Sequence, residues 1–140
     1  MNTYFADTFF YRALFDHRDE HHDRVRTWIQ GKRFRTVTTQ FVLTEVADEF
    51  RRTPLRTVFL ALLKELRQNA LVEIIPATPG LVDQGIEHYR KYRDKEWGLT
   101  DCISFVVMPT RGVHEALTAD KHFEQAGFQA VLKPKGNNRT

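Results

Sequence analysis

The sequence predicts an α/β domain, a parallel sheet between two layers of helices. Short apolar runs alternate with longer amphipathic ones almost throughout, which is the pattern of βαβ units. The chain has 140 residues, the usual size of one domain whose core needs no staples. Four acids, Asp7, Glu45, Asp101 and Asp120, stand where these runs meet, so that a parallel sheet could gather them at the carboxyl ends of its strands.

Tyr4-Phe5-Ala6 reads as a short first strand, followed by helical stretches from Thr8 to Leu14 and from Glu20 to Gln30. A second strand is predicted at Phe34 to Thr38, then a helix over Thr39 to Arg52 and another over Pro54 to Asn69, opened by its proline. Leu71 to Ile75 is the third strand, and Pro76 and Pro79 punctuate its exit. A helix over Leu81 to Tyr92, a loop at Asp94 to Gly98 and a mostly apolar helix over Leu99 to Met108 follow. Strand-like Ala116 to Thr118, a short helix from Lys121 and a last strand near Ala130 to Leu132 complete residues 1–134. The polar tail, 135–140, is expected to be disordered.

The single cysteine, Cys102, lies in an apolar run. It fits a small buried hydrophobe, and it excludes an intramolecular disulfide or a Cys-based zinc site. The first residues lack a basic segment followed by a long apolar one, and no apolar run is long enough to span a bilayer. A cytoplasmic protein without membrane contact is expected. The net charge is only +3, yet positives cluster at Lys32, Arg33 and Arg35, at Arg51, Arg52 and Arg56, at Arg90, Lys91 and Arg93, and in the tail. Such clusters suit a polyanion and also suit solvated helix faces.

Taken singly, Asp7 and Asp120 each follow a strand and precede a helix, where a carboxylate caps free N–H groups. Asp101 differs. Its helix is apolar around most of its circumference, leaving a narrow strip of Thr100, Asp101 and Ser104. A buried carboxylate needs a partner, so capping explains only part of it. Glu45 stands at the edge of the buried arc of Leu43, Val46 and Phe50, and spacing does not choose among Glu45, Asp48 and Glu49.

The ordered set Asp7-Thr8-Phe9, Thr44-Glu45-Val46, Thr100-Asp101-Cys102-Ile103-Ser104-Phe105 and Thr118-Ala119-Asp120-Lys121-His122-Phe123 resembles a PIN-domain ribonuclease, most like the small VapC-type toxins. The resemblance runs from Tyr4 to about Val131. It implies a single three-layer α/β/α domain with about five parallel strands, and acids matching Asp7, Glu45, Asp101 and Asp120 gathered at the sheet's carboxyl edge around Mg²⁺ or Mn²⁺. Hard divalent ions prefer such oxygen donors. By that analogy Asp7 and Asp101 are ligands, Asp120 is a direct or water-mediated ligand, and Glu45 orients a water or acts as its base. Thr8, Ser104 and Thr118 are supporting hydroxyls. The implied activity is metal-dependent endoribonuclease cleavage, with an RNA substrate, a second copy of the chain and a small antitoxin as partners.

Arg12, Arg18, Arg51, Arg52, Lys95 and Lys121 are candidates to hold phosphates at the rim. Trp97 is either a platform for RNA bases or an anchor of its loop. Asp94, in a run of charges, reads as a solvated loop acid. His17, His21 and His22 stand among acids, but neighbouring helical residues diverge by roughly 100° and cannot easily share an ion. The resemblance places them on an outer helix, away from the acids.

Two other α/β folds fit less well. A haloacid-dehalogenase-like phosphohydrolase needs a second acid two residues after Asp7, where Phe9 stands, and a receiver domain needs paired acids there and a central strand ending in Asp. A PIN-like module that binds RNA or protein without cutting remains the alternative.

Overall fold

In the computed structural model, which describes residues 1–134, five strands form one wholly parallel sheet. The strands are β1 (Thr3–Ala6), β2 (Arg35–Thr39), β3 (Val72–Ile75), β4 (Glu115–Leu117) and β5 (Gln129–Ala130), in the order β3-β2-β1-β4-β5. Tyr4 faces Thr36 across β1 and β2, Ala6 faces Leu117 across β1 and β4, and Thr38 faces Ile74 across β2 and β3. The inner strands are buried nearly end to end, as expected where helices cover both faces.

The helices are α1 (Thr8–Phe15), α2 (His22–Ile29), α3 (Gln40–Glu49), α4 (Leu55–Gln68), α5 (Pro79–Lys91), α6 (Leu99–Thr110) and α7 (Lys121–Gln125). They flank the sheet in a three-layer sandwich, as the sequence predicts. The predicted elements all recur, with ends shifted by a few residues. Thr39 ends β2 and caps α3, its hydroxyl accepting the Val42 N–H, so that helix starts at Gln40. Pro54 stands before α4 rather than within it. The predicted stop of α6 at Met108 is two residues early, because Pro109 sits in the last turn, where losing one backbone bond disturbs little. That helix closes with Gly112 at φ 64° and bonds from Gly112 N to Pro109 O and from Val113 N to Met108 O, which turn the chain into β4. The expectation of a disordered tail lies outside the described residues.

Phe5, Ala6, Val42, Val46, Ala116, Leu117 and Phe123 are fully buried and join the sheet to α3 and α7. α5 and α6 approach so closely that a Cβ on Gly85 would stand 2.4 Å from the Ile103 side chain. This contact fixes α6, the helix that carries Asp101. Among the described residues no helix is long and apolar enough to cross a membrane.

Candidate active site

The chain leaves β1 for β2 on one side, while β4 lies on the other, so the loops after β1 and β4 part and open a crevice. A cleft of about 450 Å³ opens there, lined by Asp7, Thr8, Glu45, Asp101 and Asp120 on its acidic wall. Asp7 directly follows β1, Glu45 projects from the middle of α3, Asp101 from the first turn of α6, and Asp120 precedes α7.

Asp7 occupies the N-cap position of α1 but makes no side-chain capping bond, and it is buried. Its partner is instead the Thr118 hydroxyl, which donates at 3.1 Å. Burial first, then the charge of Asp101, pushes the Asp7 carboxyl up to about 7. Asp101 is likewise raised, by burial and by Asp120, with His122 opposing. Although much of Glu45 meets solvent, desolvation and the Asp101 charge raise it too, against a hydrogen bond from the Thr8 hydroxyl. Asp120 does cap its helix, accepting the His122 N–H at 2.9 Å, and it also lines the cleft.

Thr118 ties the ends of β1 and β4 together, since it also accepts the Asp120 N–H at 3.1 Å. Thr8 holds Glu45. Ser104 is buried, but its hydroxyl donates to the Thr100 carbonyl at 3.0 Å, the local bond common for a helical serine. Glu49 pairs with Arg12 and Asp48 is exposed, so among the three acids of α3 Glu45 is the one that faces the cleft.

His122 is a neighbour that sequence reasoning missed. Its Nδ1 lies 3.2 Å from Asp101 and 3.5 Å from Asp120, and ligand atoms of these three residues lie within 4.8 Å of one another. The available signal was a histidine two residues beyond a candidate acid, in the first turn of a helix. His21 also departs from expectation: it lines the cleft beside the acids instead of an outer face. Asp19, gripped by Arg12 and accepting the His21 N–H, folds the α1–α2 turn back over Phe9. His22 diverges as expected, its Nδ1 against the Ala13 carbonyl.

Trp97 anchors its loop and is no platform. It is buried, edge-on to Phe105 at 4.9 Å, and its Nε1 donates to Gln125. Of the six basic candidates, Arg12 lines the cleft. Arg18 and Lys95 pair with their neighbours Asp16 and Asp94. Burial pushes the Cys102 thiol up to about 11, which leaves it inert.

The donor set fits a hard divalent cation. It offers carboxylate oxygens, with the His122 imidazole beside two of them, and among the described residues no Lys, Arg or His pairs with the buried Asp7.

The PIN domain family model matches residues 4–129. Two curated relatives, each named 23S rRNA-specific endonuclease VapC20 and from two strains of Mycobacterium tuberculosis, are 29% identical over 128 residues, covering 91% of this chain and 96% of theirs. The crystal structure of Mycobacterium tuberculosis VapC20, described as a sarcin-ricin loop cleaving toxin, superposes with a TM-score of 0.78 at 27% identity, covering 89% of this chain and 95% of that one. FitAcB from Neisseria gonorrhoeae gives 0.60 at 16% identity, covering 90% and 94% of the two chains. VapBC2 from Rickettsia felis, bound to a DNA fragment from its promoter, gives 0.58 at 13%, covering 91% and 96%. At such low identity the last two show the shared fold alone.

Proposed function

The chain belongs to the PIN-domain family, and from that premise we propose that it is a divalent-metal-dependent endoribonuclease, the toxin of a toxin–antitoxin pair. The observation that carries this is the meeting of Asp7, Glu45, Asp101 and Asp120 on one cleft at the switch point of the sheet. Burial and mutual repulsion raise three of them above their ordinary values, as expected where acids are gathered to meet a cation. The name of the VapC20 relatives supports an RNA substrate.

Asp7 and Asp101 would hold Mg²⁺ or Mn²⁺, with Asp120 as a further direct or water-mediated ligand. When bound, the ion supplies Lewis-acid chemistry at the scissile phosphate. Glu45, kept in place by the Thr8 hydroxyl, accepts a proton from the attacking water. Thr118 fixes Asp7 and the backbone of Asp120, so the acids do not drift apart under their mutual repulsion.

A second copy and a small antitoxin would dock on the face formed by α3 and α4. Support comes from the exposed Leu60 and from a mostly apolar groove of about 400 Å³ lined by Leu43, Ala47, Phe59, Leu63 and Ile74.

The test is cleavage of a panel of single-stranded RNAs and 23S rRNA by wild type and Asp101→Asn, with Mg²⁺ or Mn²⁺ and with chelator, both proteins checked by circular dichroism. Metal-dependent cutting by wild type alone is expected. Equal cutting by the folded variant would sink the assignment.

A further inference from the structure

The cleft has a second wall of different chemistry, formed by Phe9, Arg12 and His21. The rings of Phe9 and His21 meet at 4.9 Å between centroids, inclined by 44°, and both residues are only partly buried. Arg12 Cζ lies 6.0 Å from the Phe9 centroid. Its Nε donates to Asp19 at 3.3 Å and its Nη1 to Glu49 at 2.9 Å. These bonds fix the guanidinium, and among the described residues none engages its Nη2, which can meet a phosphate oxygen.

None of the three side chains belongs among the cation's ligands. Two accessible aromatic rings beside a fixed guanidinium match a nucleotide instead, with its base against a ring and its phosphate on the cation. A paired base in a duplex has both faces covered by its neighbours and cannot use such a wall.

We propose that Phe9 and His21 form a stacking subsite for one unpaired base of the RNA beside the scissile phosphate, with Arg12 on an adjacent phosphate, so that the substrate is a loop or single strand. The subsite replaces the platform that Trp97 would have offered, and it rests on the nuclease function proposed above. Phe9 immediately follows Asp7 and Thr8, so a base on its ring lies next to the reacting centre.

The test uses an RNA that the wild-type protein cuts, prepared as a series with 2-aminopurine at successive positions and bound with Ca²⁺ in place of Mg²⁺. Quenching at one position next to the cut is expected in wild type and in Phe9→Tyr. In Phe9→Leu that quenching is lost and affinity falls roughly five- to a hundredfold. Thermal unfolding confirms that each variant is folded. Equal quenching in Phe9→Leu, or none in wild type, overturns the subsite while leaving the nuclease standing. A wild type that cuts no RNA removes both.

Discussion

The Thr118 hydroxyl donates to the Asp7 carboxylate at 3.1 Å across 111 residues of sequence, joining the exits of two neighbouring strands. It is a direct side-chain hydrogen bond to the most deeply buried acid of the cleft, and the same oxygen accepts the backbone N–H of Asp120.

Replacing Thr118 by Val keeps its shape and removes both bonds. The expected loss is about 2 kcal/mol of stability, in the range for hydrogen bonds to charged groups, together with weaker cation binding. Thr118→Ser should retain most of both. Chemical unfolding of the three proteins at pH 8 checks this, and a Val variant as stable as wild type would show that the bond contributes nothing.

Asp7 sets a pH dependence. Its folded value of about 7 lies above the ordinary value of 3.8. The folded state therefore holds the proton more tightly, so stability is fully present below about pH 4 and is lost as pH rises through 7. The metal-free protein should lose on the order of 4 kcal/mol from this group between those limits. Glu45 and Asp101, also raised, act in the same direction. Melting temperatures of chelated protein should fall from pH 5 to pH 8, the fall should be much smaller in Asp7→Asn, and Mn²⁺ should restore wild type at pH 8. A flat wild-type profile would refute the buried-acid account.

Most of the architecture was legible in the sequence, because parallel strands buried on both faces leave plain apolar runs, as in Tyr4-Phe5-Ala6, between amphipathic helices. Asp101 was legible for a related reason: a charge in an otherwise apolar helix demands an explanation. Glu45 was not separable from Asp48 and Glu49, because the choice depends on a Thr8 contact spanning 37 residues. His122 escaped notice because its bond to Asp101 joins two helices. His21 was misplaced because a run of charges normally marks solvent, and nothing local reveals that Arg12 pulls the turn inward through Asp19. Trp97 is the converse case, a tryptophan in a polar loop whose ring is taken up by His88, Tyr92 and Phe105.

His122 gives a prediction of its own. Supporting partners of metal ligands typically contribute 10–100-fold to affinity. His122→Ala should weaken cation binding by about that factor while leaving the fold intact, as read by calorimetric titration. An unchanged affinity would make His122 a bystander.

Trp97→Ala should cost about 3–5 kcal/mol of stability, as for a large core truncation. At temperatures where the variant is folded, its RNA affinity should match wild type. A large loss of affinity without loss of stability would return Trp97 to the role of platform.

Gly85→Ala should drive α5 and α6 apart, because the added Cβ meets Ile103 at 2.4 Å. A loss of about 1–3 kcal/mol is expected, with partial recovery when Ile103→Ala is combined with it. Additive losses in the double variant would show that the two residues are not in contact.

The central claim is that the four acids form one cation site, and titration of metal-free protein with Mn²⁺ at pH 7.5 addresses it directly, comparing wild type with Asp7→Asn. Saturable binding in wild type that is lost in the folded variant is the predicted result. Identical isotherms for the two proteins, or no binding in either, would contradict it.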